Sequence, residues 1–259
     1  MPVVKVPHAS LYWKLDGRDD APALILLNSI GTDMGLWDAA LPYLREHFAL
    51  LRIDTRGHGA STAEPGDYTL QLLAEDVLAA ADAAGLSHFS LAGVSLGGMI
   101  GMELALNSPD RLHKLALICT SATMDPASWN DRIAKVRTEG MAAIADLAMG
   151  RFLSEAFLAG NPAVYETVRR NFISMDAEAY AGCGAAIRDM DLSNRISRIA
   201  CPTLVVTGSR DSSTPYEGHG DYLVAQIPGA SHCLLGAAHL APLEAPAALA
   251  GLLVSFLEG

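Results

Sequence analysis

Cysteine is scarce in this chain of 259 residues: Cys119, Cys183, Cys201 and Cys233 lie far apart and form no CxxC pair. That spacing signals neither a zinc site nor a disulfide framework, so the four read as reduced, mostly buried thiols. Positive charge is also short, with 18 Lys and Arg against 29 Asp and Glu and a formal net charge of -11. Nucleic acid and an anionic membrane surface both demand a basic face, so neither is expected as a partner. An anionic small substrate would need a local cation instead. No apolar run approaches the length that spans a bilayer, and the opening Met1-Pro2-Val3-Val4-Lys5-Val6 lacks the apolar core of a signal peptide. The expectation is a soluble, cytoplasmic protein that needs no metal and no cofactor, with its oligomeric state left open. Charge blocks, internal repeats and low-complexity stretches are missing too, which argues against a linker between independent domains.

What is present is apolar and periodic. With 51% hydrophobic and 18% charged residues the chain can bury a large core. Val3 to Val6 and Leu11 to Leu15 read as an opening hairpin, and Ala23 to Leu27 as a strand covered on both sides. Leu36 to His47 reads as an amphipathic helix and Leu50 to Ile53 as the next strand. Leu70, Leu73, Ala74, Val77, Leu78 and Ala81 recur at helical spacing. Leu112 to Cys119 gives a further strand. From about Thr120 to Asp191 no continuous apolar strand is found, and the sheet rhythm resumes only at Ile199. The expected fold class is α/β: a mostly parallel central sheet with helices on both faces and an inserted helical cap. The divisions are 1–120 for the first part of the core, 121–191 for the cap and 192–259 for the second part.

The stretch Ser90-Leu91-Ala92-Gly93-Val94-Ser95-Leu96-Gly97-Gly98-Met99 carries the chemistry. A short apolar run meets Gly-x-Ser-x-Gly and turns at once into helix-forming sequence, the context of a nucleophile elbow. Ser95 is the candidate nucleophile. The alternative is an ordinary glycine-rich strand-to-helix turn, and the partners decide between them. The strand-like run Cys201 to Thr207 leads into Gly208-Ser209-Arg210-Asp211, so Asp211 is the candidate acid. The run Ala230 to Leu235 leads into Gly236-Ala237-Ala238-His239 before a helix that begins near Pro242, so His239 is the candidate base. His232 and His58 compete with it. His232 falls inside a strand-like run, and His58 is better explained by turn structure. Asp54 also follows a strand, but it precedes Ser95 and suits a loop-bonding role.

Nucleophile, acid, then histidine is the chain order of α/β-hydrolases. The chain resembles the 3-oxoadipate enol-lactonase group of that superfamily over essentially its whole length. The similarity is carried by Leu27-Asn28-Ser29-Ile30-Gly31-Thr32-Asp33 through Trp37-Asp38, by Asp54-Thr55-Arg56-Gly57-His58-Gly59-Ala60-Ser61, and by Ala185 to Asp191. Ala237-Ala238-His239-Leu240 with Glu244-Ala245-Pro246 completes it. Most relatives carry His-Gly where this chain has Asn28-Ser29, and here it follows the lactonase pattern. The resemblance implies an oxyanion hole from the backbone N–H groups of Ile30 and Leu96. It also implies a small anionic lactone as substrate, opened through an acyl-enzyme in the β-ketoadipate pathway of aromatic catabolism. The rivals are a broad carboxylesterase, a carbon–carbon bond hydrolase of the same superfamily, and a slow ligand sensor on the same fold.

Substrate contacts are expected from the cap and from Ser29 beside Asn28. Trp129, Met141, Phe152 and Met175 either line a pocket or pack within the cap. Arg132 and Arg188 are the candidate partners of a substrate carboxylate, because guanidinium binds carboxylates bidentately, and either can equally be a surface ion pair.

Overall fold

The strands occupy runs of β-branched and other apolar residues, and the middle of the sheet is mostly apolar and almost wholly buried. In the computed structural model, which describes residues 2–259, the strands are β1 (Val3–Val6), β2 (Ala9–Gly17), β3 (Ala23–Leu27), β4 (Ala49–Ile53) and β5 (Thr62–Ala63). They continue with β6 (Phe89–Val94), β7 (Leu112–Ile118), β8 (Thr203–Gly208) and β9 (Ser231–Leu235). The sheet order is β1-β2-β4-β3-β6-β7-β8-β9, with β5 beside β2. From β4 to β9 neighbours are parallel, while β1, β2 and β5 pair antiparallel. Successive strand residues point to opposite faces, yet every residue of β4 and β8 is buried. Both faces must therefore be covered, and helices cover them.

The helices are α1 (Leu41–Leu44), α2 (Leu70–Ala83), α3 (Leu96–Asn107), α4 (Pro126–Glu139), α5 (Ala145–Phe152) and α6 (Glu155–Gly160). They continue with α7 (Pro162–Ile173), α8 (Ala177–Asp189), α9 (Asp221–Gln226), α10 (Ala241–Glu244) and α11 (Pro246–Glu258). Between β7 and β8 the chain leaves the sheet for α4 to α8, and a single antiparallel bridge, Thr123 with Asp191, closes the base of this excursion. Helix starts follow local chemistry: Asp125, Ser154 and Asp176 accept N–H groups from the first turns of α4, α6 and α8. No helix among the described residues is long and apolar enough to cross a membrane.

Two proline effects depart from the periodicity. The helix expected over Leu36 to His47 is a 3₁₀ turn at Met34–Trp37 followed by the four residues of α1. Pro42 sits in the first turn of α1, where its missing N–H does no harm, but a helix running through it would lose a bond and clash with the preceding turn. Likewise the helix expected from Pro242 is two, α10 and α11, because Pro246 restarts it.

The loop after β4 is pinned from beneath. Arg56 donates through Nε and Nη2 to both oxygens of Asp76 at 2.7 Å each, and both side chains are buried. Removing one partner strands a charge. Asp76→Ala is expected to lose about 3–5 kcal/mol of unfolding free energy in urea titration, and an unchanged midpoint would reject this anchoring role.

Candidate active site

Ser95 stands between β6 and α3 with φ +54° and ψ −114°, a conformation that residues with side chains rarely adopt. Its neighbours make the turn possible by having no side chains. A Cβ on Gly93 would lie 2.2 Å from the Gly97 carbonyl oxygen, and one on Gly97 would lie 2.7 Å from Leu27 Cβ. Hydrogen bonds then hold the strained backbone: Ser95 N–H donates to Ile118 O at 2.9 Å, and Thr120 Oγ1 donates to Ser95 O at 2.7 Å. The serine is thereby presented at the carboxyl edge of the sheet.

Asp211 and His239 reach the same edge from the loops that follow β8 and β9. Asp211 Oδ2 faces His239 Nδ1 at 3.0 Å, and both side chains are buried. The carboxylate also accepts the Ser213 N–H at 2.8 Å, the Thr214 N–H at 3.2 Å and the Thr214 hydroxyl at 2.9 Å. Burial alone raises the Asp211 carboxyl, but the imidazole and these donors outweigh it and draw it down to about 2. His239 and Ser95 line one cavity, roofed by Trp129 and Phe152. The Phe152 ring stacks over the imidazole, with centroids 6.1 Å apart. His232 lies elsewhere, its Nε2 bonded to Thr207 Oγ1 at 2.8 Å and its ring stacked on Tyr216.

A second loop borders the cavity. After β3 the chain turns through Asn28, Ser29, Ile30 and Gly31, and it is held by groups from the loop after β4. Asn28 Nδ2 donates to Ile53 O at 2.8 Å, and its own carbonyl accepts the Gly97 N–H at 3.1 Å. The Gly31 N–H donates to His58 Nε2 at 3.1 Å, so Nδ1 carries the proton and donates to Arg56 O, also at 3.1 Å. Burial pushes His58 down, which keeps it in the neutral form that this pairing requires. Asp54 accepts from Met34 N–H and Ala60 N–H, both at 2.8 Å, and ties the loops together. Ile30 lines the cavity with Ser95, and among the described residues its N–H and that of Leu96 have no acceptor. Both are free to meet a ligand oxygen.

The cations divide sharply. Arg132 lines the cavity, with its guanidinium 4.7 Å from the centre of the Trp129 ring and 3.5 Å from the Tyr180 hydroxyl. Arg151 lines it as well; burial first, and then the neighbouring charge of Arg132, push its guanidinium down. Among the described residues neither forms a salt bridge. Arg188, expected here, is elsewhere: Asp67 at 3.0 Å and Asp189 at 2.6 Å hold its guanidinium, and it does not line the cavity. Ser29 likewise does not reach the cavity, because it is buried with its hydroxyl turned towards Ile30 O within its own loop. Arg151 escaped the sequence reading because α5 carries no motif, although a cation in the last turn of a cap helix was a signal open to use.

The Asp211 carboxyl predicts an acid dependence. Its folded value of about 2 lies below the ordinary 3.8, so its contribution is complete above the ordinary value and fades as pH falls towards 2. The expected contribution is on the order of 2 kcal/mol. In denaturant titrations the stability gap between wild type and Asp211→Asn should therefore narrow as pH drops through that window, and a constant gap would contradict it.

The comparisons with known proteins agree with this fold. Residues 22–246 match the family model described as the alpha/beta hydrolase fold. The 3-oxoadipate enol-lactonase 2 of Acinetobacter baylyi is 32% identical over 240 residues, covering 92% of this chain and 90% of that protein. The crystal structure of the enol-lactonase from Burkholderia xenovorans superposes with a TM-score of 0.96 at 35% identity, covering all of both chains. A hydrolase structure from Pseudomonas aeruginosa superposes with a TM-score of 0.95 at 41% identity, covering 100% of this chain and 98% of that one. The chain belongs to the alpha/beta hydrolase family, and within it resembles the 3-oxoadipate enol-lactonase group.

Proposed function

We propose that this protein is a cofactor-independent serine hydrolase that opens a small carboxylated enol-lactone, taking 3-oxoadipate enol-lactone to 3-oxoadipate in aromatic catabolism. The observation that carries the reading is the cavity itself: Ser95 and His239 line it together with two arginines that form no salt bridge among the described residues, in a chain of net charge -11. Such an arrangement favours a substrate that brings its own carboxylate to an ester carbonyl.

In the mechanism His239 Nε2 takes the Ser95 proton, and the alkoxide adds to the lactone carbonyl. The N–H groups of Ile30 and Leu96 receive the oxyanion, each contributing roughly 2.7–4 kcal/mol to the transition state. Collapse breaks the ring C–O bond, and the departing enolate stays tethered to the acyl chain. An enolate is a better leaving group than an alkoxide and needs little acid assistance; the imidazolium passes it the Ser95 proton, which leaves an enol that becomes the 3-oxo group and returns His239 to the neutral base. Water, deprotonated by His239, then cleaves the acyl-enzyme and frees Ser95. Asp211 holds the Nδ1–H tautomer throughout. Among the described residues no hydrogen bond joins Ser95 Oγ to the imidazole, a contact that commonly tightens only when ligand binds.

A panel of enol-lactones, saturated lactones and p-nitrophenyl esters tests the reading. Fast turnover of enol-lactone alone supports it, broad ester hydrolysis supports a carboxylesterase, and tight binding without turnover supports a sensor. Ser95→Ala is expected to abolish turnover with the fold intact, and His239→Ala to lose about 10³-fold or more, whereas His232→Ala costs mainly stability. Near-normal activity in Ser95→Ala would end the serine-hydrolase reading.

The arginines give a charge-selective test. Arg132→Met or Arg151→Met should weaken KM for the carboxylated lactone by roughly 1.5–3 kcal/mol while leaving a neutral p-nitrophenyl ester nearly untouched. Arg188→Met serves as the control and should change neither. Equal effects on charged and neutral substrates would mean that the carboxylate is recognised elsewhere.

A further inference from the structure

Glu244, the last residue of α10, carries a carboxylate that is 1% exposed although no step of the mechanism uses it. Its oxygens accept the N–H of Ser154 in the cap, the Ser154 hydroxyl at 3.1 Å, and the N–H of Ala238 at 3.0 Å. Ala238 is the residue before His239. Arg210, the residue before Asp211, approaches the same carboxylate at 3.6 Å and donates its N–H to Ala237 O at 2.9 Å. Two residues before Ser154, the Phe152 carbonyl accepts the Leu240 N–H at 3.0 Å, and its ring covers the imidazole. Cap residues 152–154 thus grip the chain on both sides of His239.

The donor set requires a carboxylate. Each oxygen meets a backbone N–H, that of Ser154 on one and that of Ala238 on the other, so an amide nitrogen in either place would face a donor that cannot accept. Capping of α6 does not demand this arrangement, because the Ser154 hydroxyl already accepts the Phe157 N–H at 3.3 Å. The separate arm to Ala238 is what links the cap to the histidine loop.

We propose that Glu244 is a positioning residue that fixes His239 for proton transfer by clasping the cap to the histidine loop. The inference rests on the reading of Ser95, Asp211 and His239 as the catalytic set. Loss of the clasp leaves the cavity arginines in place but lets the imidazole drift from the Ser95 hydroxyl, so it acts on kcat and on nucleophile activation rather than on substrate affinity.

The test compares wild type with Glu244→Gln by steady-state kinetics on p-nitrophenyl acetate, by the rate at which a serine-directed phosphonate labels Ser95, and by thermal unfolding. In the variant, kcat and the labelling rate are expected to fall together by roughly 10–100-fold with KM within about twofold of wild type. Labelling and kcat near wild type, even with a lowered unfolding temperature, would reduce the clasp to a structural contact and overturn the proposal. If Glu244→Gln does not fold, Ser154→Ala decides: it removes the hydroxyl arm together with the cap of α6 and should slow labelling several-fold, and unchanged labelling overturns the proposal. Failure of wild type itself to label at Ser95 is a distinct outcome that brings down the serine-hydrolase reading, and this inference with it.

Discussion

The backbone at Ser95 is bent into a conformation that only close packing can sustain, and the arrangement of the site follows from it. Gly93, Gly97 and Leu27 approach one another so closely that any side chain on either glycine would collide with neighbouring atoms. That contact joins the end of β6, the start of α3 and the loop after β3 into one body. The same contact brings the Asn28 carbonyl to the Gly97 N–H, so the loop bearing Ile30 is placed relative to Ser95 by the elbow itself. The strain is held by bonds to β7 and to Thr120, none of which a ligand must make.

Around the elbow, polar groups that the chemistry does not consume fix the loops that the chemistry needs. His58 is neutral and buried, and it spends both ring nitrogens on backbone, one on Gly31 and one on Arg56. Asp54 and the Arg56–Asp76 pair extend that support beneath it. Glu244 does the corresponding work on the opposite side, between the cap and the histidine loop. Loops rich in backbone donors are thereby tied by hydrogen bonds to their neighbours, an arrangement that suits preorganised contacts.

The electrostatics of the cavity oppose those of the whole molecule. An acidic chain repels anions at long range, but the cavity holds two guanidiniums that repel each other and, among the described residues, have no salt-bridge partner. A carboxylate entering there relieves that repulsion, whereas the half-buried Arg188 is already satisfied by Asp67 and Asp189. The difference between the two kinds of arginine is one of neighbours, not of residue type.

How much of this was legible in the sequence depended on the range of the interaction concerned. The parallel strands announced themselves because burial on both faces demands largely apolar runs, as at Ala23–Leu27 and in the Leu204, Val205 and Val206 centre of Thr203–Gly208. The Gly-x-Ser-x-Gly turn and the positions of Asp211 and His239 past strand ends could be located for the same local reason. Helix breaks at Pro42 and Pro246 are also written locally, in the missing N–H of proline, although amphipathic spacing runs on through both. No local pattern could separate Arg151 from Arg188. Which guanidinium faces the cavity and which meets Asp67, 121 residues away, is decided by how α5 and α8 pack over the sheet. The clasp of Glu244 on Ser154 joins groups 90 residues apart and exists only once the cap has docked. Short-range backbone sterics and burial periodicity are properties of the sequence, while the pairing of charges across the cap is a property of the folded chain.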